Sequence, residues 1–177
     1  GALNYAQYLY FKNALSHVTL VPVKEDPAYI RMVKERQDIE RIKKAIHVNK
    51  LAFDKVFSSI RPGMTEQALA FQLELAMREA GAEKLSFDTI IASGPRGAMP
   101  HGLASSKKLK AGELITIDFG NMVEGYCSDE TTTIGLGKIS AEQKKIFTIV
   151  KDAHDFAVEK IRPGKKGKEI DFVARDY

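Results

Sequence analysis

The sequence predicts an α+β fold in which long amphipathic helices bracket a compact antiparallel β cluster. Three observations carry that expectation. Apolar residues recur at helical spacing over 35–60, 65–81 and 140–161. The β-rich runs concentrate between 87 and 134. A helix-ending tetrapeptide, Ile-Arg-Pro-Gly, occurs twice, each time between two helical stretches.

Taken in order, residues 5–15 (YAQYLYFKNAL) are expected to be helical. Residues 18–23 (VTLVPV) read as a β run that Pro22 confines to an edge or a strand end, and Lys24-Glu25-Asp26-Pro27 as a polar break. This opening is too short to own a core, so residues 1–25 are expected to belong to a neighbouring unit that is mostly absent. A long amphipathic helix follows over 35–60, with apolar positions at Ile39, Ile42, Ile46, Leu51, Phe53, Val56, Phe57 and Ile60; Pro62-Gly63 ends it. The next helix has Thr65 as its N-cap and Gly81 just past its end. Residues 87–92 (FDTIIA) read as a strand, Ser93-Gly94-Pro95-Arg96-Gly97 as a turn-rich loop, and Met99-Pro100-His101-Gly102 as its continuation. Residues 114–119 (LITIDF) and 127–134 (CSDETTTI) read as two strands joined through 120–126 into a hairpin. A third helix spans 140–161, capped by Ser140 with Glu142 in its first turn, and a fourth starts at 166.

Ile60-Arg61-Pro62-Gly63 returns as Ile161-Arg162-Pro163-Gly164 about 100 residues later. Read as a duplication, it makes 36–137 a first repeat and 140–177 the start of a second. Read as punctuation, Pro-Gly after a helix is ordinary.

Composition narrows the function classes. The 177 residues are 44% hydrophobic and 28% charged, which excludes a disordered chain. A net charge of +4, spread along the sequence, does not imply nucleic acid, which needs a concentrated basic stripe. The single cysteine, Cys127, excludes an intramolecular disulfide and a Cys-rich zinc site. No apolar run approaches a membrane span, and the opening residues show no basic leader. The chain does not begin with Met, so it is expected to be processed or cut from something longer.

Asp118 and Asp129 are the candidate chemistry. Asp118 lies between Ile117 and Phe119, an unfavourable place for a solvated charge, and aspartate is depleted in strands. If the hairpin pairs, both carboxylates can share one face. They would then either grip divalent cations such as Mn²⁺, Mg²⁺ or Co²⁺, or bond to Thr hydroxyls, backbone N–H groups or a nearby cation. His101, in a Gly/Pro-rich loop, is either a plain loop histidine or a group that donates to a substrate carbonyl. The Ser93–Gly97 loop lacks Walker spacing, and Lys107-Lys108-Leu109-Lys110 reads as solvated loop charge. His154-Asp155 reads as surface, adjacent helix positions diverging in direction, and Cys127 as a small strand residue.

The ordered set F-D-T-I-I-A-S-G, A-M-P-H-G, L-I-T-I-D-F-G and G-Y-C-S-D-E-T-T-T resembles the pita-bread metallopeptidases, the superfamily of methionine aminopeptidase, aminopeptidase P and prolidase. The likeness spans roughly 36–177 and is strongest to the Xaa-Pro branch over 86–135. It implies the N-terminal half of a pita-bread (creatinase/aminopeptidase-like) fold, with residues 1–25 the last helix and strand of a preceding N-terminal domain and 26–177 an incomplete catalytic domain. By resemblance Asp118 and Asp129 match the first two metal ligands, Asp129 bridging and Asp118 chelating, and His101 matches the histidine lining the substrate site. The family adds a later histidine and two later glutamates, which do not occur in this sequence. It also usually shows Asp-x-Thr-Arg-Thr where this chain has Asp129-Glu130-Thr131-Thr132-Thr133. Glu130, on the other strand face, is not expected to be a ligand.

The resemblance implies an intact enzyme that hydrolyses the bond before proline, as an Xaa-Pro aminopeptidase or dipeptidase, using water activated by two divalent ions (Mn²⁺ or Co²⁺, with Zn²⁺ as a further option). The 177-residue chain alone is expected to be inactive and need hold no metal. The expected partners are a proline-containing peptide or dipeptide and a second copy in a homodimer, with no nucleic acid or membrane, in the cytoplasm. The alternatives are a pita-bread module that binds peptides or proteins without catalysis, and creatinase-like chemistry on the same fold.

Overall fold

The computed structural model describes residues 3–21 and 27–177 and divides into two units, Gly1–Arg36 and Gln37–Tyr177. In the first unit, α1 (Tyr5–Ala14) starts at a capping box: the Asn4 side chain accepts from Gln7 N while the Gln7 side chain accepts from Asn4 N. The β run expected over 18–23 does not form over 18–21, which are bend and coil. A strand needs a partner ladder, and among the described residues none pairs with this segment. Pro22, Val23 and the break at 24–26 lie outside the described residues. A short 3₁₀ turn occupies Pro27–Arg31.

The second unit begins on α2 (Arg36–Phe57). Its packed stripe is Ala45, Val48, Asn49, Ala52 and Val56, whereas Ile39, Ile46, Leu51 and Phe57 are exposed. The helix is where the periodicity placed it, but only some of its large apolar residues are covered: Phe53 packs against the core with its ring 5.9 Å from that of Phe119. α3 (Glu66–Glu79) starts where Thr65 Oγ1 accepts from Ala68 N at 3.1 Å, and ends before Gly81, whose φ is +108°. It buries Leu69, Leu73, Ala76 and Met77.

Two three-stranded antiparallel sheets follow, in orders β2-β3-β6 and β1-β4-β5. The strands are β1 (Lys84–Leu85), β2 (Ile90–Ser93), β3 (Leu114–Phe119), β4 (Asn121–Val123), β5 (Tyr126–Cys127) and β6 (Glu130–Gly135). The expected hairpin is present, and it crosses from one sheet into the other. Phe119 faces Glu130, Met122 faces Cys127 and Val123 faces Tyr126, so one register runs through both sheets. Its tip is Glu124-Gly125 with φ of 50° and 78°, the left-handed pair that a two-residue hairpin turn requires. The strand expected over 127–134 is split into β5 and β6 because the ribbon bends at Gly120, where a Cβ would lie 2.3 Å from the Ser128 carbonyl oxygen. The strand expected from 87 begins only at Ile90. Upstream of it the Ser86 hydroxyl sits 2.8 Å from both the Asn121 and the Ser128 carbonyl oxygens, which ties the chain to the bend instead.

One face of β2-β3-β6 carries the core. Ile91, Ile115, Ile117 and Phe119 pack with Leu69, Leu73 and Met77 of α3 and with Val48, Ala52 and Val56 of α2. α4 (Ala141–Lys160) opens with a Ser140–Gln143 capping box, and α5 (Gly167–Asp176) follows the second Ile-Arg-Pro-Gly. The two tetrapeptides adopt the same turn: Gly63 and Gly164 have φ of 89° and 86°, and Met64 N and Lys165 N bond back to the Arg61 and Arg162 carbonyls. Unlike α2 and α3, neither α4 nor α5 buries a residue; Ile146, Phe147, Ile149 and Val150 are exposed. Among the described residues no helix is long and apolar enough to cross a membrane.

Candidate functional site

Alternation along β3 decides which side chains are available for chemistry. Ile115, Ile117 and Phe119 enter the core, so Thr116 and Asp118 stand on the opposite face. Asp118 lies between Ile90 of β2 and Thr131 of β6. It is half-buried, and its Oδ1 is fully buried without a hydrogen-bond partner. Asp129 immediately precedes β6, and continuing the register places it opposite Gly120, two positions from Thr131 and on the Asp118 face. Gly120 and Asp129 themselves fall between the two ladders, so a shared face follows only by extending the register across that gap. The expectation that both carboxylates are buried holds only in part, because Asp129 is exposed. It sits at the bend, and its cross-strand neighbour Gly120 has no side chain to cover it. Leaving a buried acceptor unpaired costs about 1–3 kcal/mol. An unpaired carboxylate oxygen with a second carboxylate on the same face is a donor set suited to a hard divalent cation.

His101 lies in the segment that follows β2. A 3₁₀ turn over Gly94–Ala98 starts it, and a Cβ on Gly97 would lie 3.7 Å from Thr116 Oγ1, so this segment runs over the Asp118 face of the sheet. The chain returns at Leu103, which bridges to Ile90. His101 is exposed, and its carbonyl accepts from Leu103 N at 2.9 Å. Among the described residues no group of three or more His, Cys, Asp or Glu is placed to hold a metal ion, so His101 and the two aspartates do not form a closed ligand cluster.

The most heavily bonded carboxylate is one that sequence reasoning passed over. Glu66, the first residue of α3, is completely buried. Its Oε1 accepts from Ser93 N (2.9 Å) and Ser93 Oγ (2.8 Å). Its Oε2 accepts from Arg96 Nε (3.0 Å), Ser105 N (3.1 Å) and Ser105 Oγ (2.6 Å). Burial pushes its pKa up, but the Ser105 and Ser93 hydrogen bonds outweigh it and hold the carboxyl below its ordinary value. Nothing in the sequence flags it, since a glutamate in a first helical turn is normally a solvated partner of the helix dipole. A second buried network joins the helix to the bend. Asn121 Nδ2 lies within hydrogen-bonding distance of the Ala45 carbonyl (2.8 Å), Asn49 Oδ1 (2.6 Å) and Ser128 Oγ (3.0 Å), which share its two N–H groups, and this fixes the residue just before Asp129.

Three smaller expectations change. Lys107 is not solvated loop charge: it is partly buried, pairs with Glu113 at 2.8 Å and donates to Ser93 Oγ at 2.7 Å. Leu109, inside the same basic run, is a core residue. His154 and Asp155 do touch, with Nδ1 and Oδ1 3.0 Å apart, although both remain on the surface. Cys127 is an exposed residue of β5. Glu130 pairs with Phe119 and thus lies off the Asp118 face; its carboxylate is 3.5 Å from Asn49 Nδ2.

A profile of metallopeptidase family M24 matches residues 40–177. An uncharacterised peptidase, YqhT, from Bacillus subtilis is 39% identical over the whole chain, which covers 50% of that protein. An Xaa-Pro dipeptidase from Pyrococcus furiosus is 38% identical over 99% of the chain, which covers 51% of it. The crystal structure of an X-Pro aminopeptidase from Thermotoga maritima superposes with a TM-score of 0.93 at 39% identity, covering 98% of this chain and 49% of that one. The chain thus spans about half the length of the proteins it matches.

Proposed function

Because this chain belongs to metallopeptidase family M24 and carries half of a pita-bread fold, we propose that the intact protein is a metal-dependent Xaa-Pro peptidase. It hydrolyses the bond before proline in a peptide or dipeptide. The observation that carries the reading is the buried, unpaired Oδ1 of Asp118, on the sheet face that the segment leading to His101 meets at Thr116. Asp118 and Asp129 would hold divalent ions, Mn²⁺ or Co²⁺, which when bound supply Lewis acidity and an activated water. The work of the chain's own residues is separate. The core behind β3 fixes the direction of Asp118, and the Asn121–Ser128 network fixes the approach to Asp129. His101, exposed on its loop, is available to donate a hydrogen bond to the oxygen of the scissile carbonyl as negative charge develops there.

The proposal extends to the organisation of the chain. Residues 1–25 end a preceding domain and 26–177 open the catalytic one, with 36–137 as a first repeat and 140–177 as the beginning of a second. Two carboxylates are too few to enclose a dinuclear centre, so the 177 residues alone are expected to be inactive. The intact protein is read as a cytoplasmic homodimer needing neither nucleic acid nor membrane, in keeping with the modest, dispersed charge of these 177 residues. The test is hydrolysis of an Xaa-Pro dipeptide and an Xaa-Pro-terminated peptide by the intact protein with Mn²⁺ or Co²⁺. The reading expects turnover that Asp118→Ala abolishes. Saturable peptide binding without hydrolysis, or an Asp118→Ala variant at the wild-type rate, overturns it in favour of a binding module.

A further inference from the structure

Thirteen residues, 93–105, leave β2, carry His101 and return to the body of the unit, and a single side chain holds both of their ends. Glu66 takes Ser93 at the start through two hydrogen bonds and Ser105 at the finish through two more. Its fifth bond takes Arg96, whose Nη2 reaches on to the Leu103 carbonyl at 2.6 Å, two residues after His101. Lys107 extends the arrangement, donating to Ser93 Oγ while pairing with Glu113. Between these fastenings His101 itself is exposed, and its carbonyl accepts from Leu103 N, its one backbone–backbone bond among the described residues. The loop is also held within itself, by Gly102 N on the Met99 carbonyl at 3.2 Å and by the Leu103–Ile90 bridge, so the pinned ends are one of the constraints that set where the imidazole stands.

We infer that Glu66 is a positioning residue for the proposed hydrolysis: a buried anionic clamp that closes the 93–105 loop and presents His101 over the Asp118 face. The inference rests on the peptidase reading for its catalytic consequence, and on the hydrogen bonds alone for its structural one. Charge is essential to the device. All five partners are donors, so both carboxylate oxygens must accept. A glutamine of the same shape must turn an NH₂ group toward either the Ser93 pair or the Arg96–Ser105 set, and one end of the loop is released.

The experiment uses the intact protein with Glu66→Gln, His101→Ala and the double variant, in two measurements. Hydrogen exchange of the 97–104 amides needs no activity. Glu66→Gln is expected to accelerate it at least tenfold while leaving β3 amides protected, and unchanged exchange overturns the clamp. Steady-state hydrolysis of an Xaa-Pro dipeptide with Mn²⁺ reads the catalytic consequence. Glu66→Gln is expected to lower kcat about tenfold or more with KM and Mn²⁺ affinity within twofold, and to change kcat less than twofold when His101 is already Ala. Equal losses in both backgrounds overturn the claim that Glu66 acts through His101. Inactivity of the wild-type protein refutes the peptidase reading, and the exchange measurement still decides the clamp. If Glu66→Gln does not fold, Ser105→Ala removes one of the five donors and is held to the same criteria with smaller effects.

Discussion

Replacing Asp118 by Leu separates a carboxylate kept for a cation from one kept for structure, because the two roles predict opposite signs. Without metal, Asp118 Oδ1 is buried and makes no hydrogen bond, so the side chain carries a desolvation cost of about 1–3 kcal/mol with nothing bonded in return. Leucine has nearly the same shape, favours a strand over aspartate, and would sit beside Ile90 and Thr131. The apo protein is therefore expected to gain stability, by about 1–3 kcal/mol, seen as a rise of a few degrees in Tm for a chain of this size. With metal the gap narrows, and it reverses once the gain from Mn²⁺ exceeds the apo advantage of leucine. Mn²⁺ at a hundredfold its Kd stabilises a wild-type site by about 2.7 kcal/mol, and the variant gains none of it. The assay is thermal unfolding of the intact protein and its Asp118→Leu variant, each in EDTA and across a Mn²⁺ titration. Destabilisation of the apo protein by 1 kcal/mol or more would mean that the carboxylate is bonded within the fold, and the cation argument would fail.

Gly120→Ala should cost at least about 2 kcal/mol by overpacking, because its Cβ would stand 2.3 Å from the Ser128 carbonyl, and should weaken Mn²⁺ binding by shifting the bend between the two aspartates; calorimetry with metal titration checks both. Leu73→Ala, at a site 1% exposed in the core, should lose about 2–5 kcal/mol in denaturant unfolding without changing which metals bind. Glu66 is held below the ordinary glutamate pKa in the folded chain, so its contribution is complete above the unfolded value and is lost as pH falls through the folded one. Stability measured from pH 7 downward should accordingly show an acid-dependent loss that Glu66→Gln flattens, and parallel curves would refute the assignment.

What could be read in the sequence was whatever leaves a periodic or positional trace. The helix bounds, the Thr65 and Ser140 caps, and the antiparallel pairing of the two segments that carry the aspartates all follow from spacing and turn residues. What could not be read depends on contacts between distant segments. Glu66 and Ser105 are joined only once the chain has passed through β2 and the His101 loop, and neither residue type announces a buried partner. Periodicity likewise gives α2 without saying which of its apolar positions are covered: Phe53 and Val56 pack with the core, while Ile46 and Leu51 stay exposed. The split between β5 and β6 was hidden because Gly120 reads equally well as a loop glycine or as a bend that keeps register.

The repeated Ile-Arg-Pro-Gly turn offers a direct test of the proposed duplication. Gly63 and Gly164 share a left-handed φ, and a Cβ at either would meet nothing within 4 Å, so alanine imposes the same backbone penalty of about 1–2 kcal/mol at both. The global consequences should differ in the 177-residue chain. The Gly63 turn is tied to the fold through Gly63 N and the Leu109 carbonyl at 2.9 Å, and it leads into a helix that buries Leu69 and Leu73. The Gly164 turn leads into α5, which buries nothing, so straining it leaves the cooperative unit untouched. Gly63→Ala should therefore lower the unfolding free energy of this chain by the full penalty, and Gly164→Ala should leave it unchanged within error. In the intact protein, a true second repeat would give α4 and α5 a sheet of their own to cover. Gly164→Ala should then cost as much as Gly63→Ala. If it remains silent there, the second helix pair carries no core, and the tetrapeptide is punctuation rather than the mark of a duplicated unit.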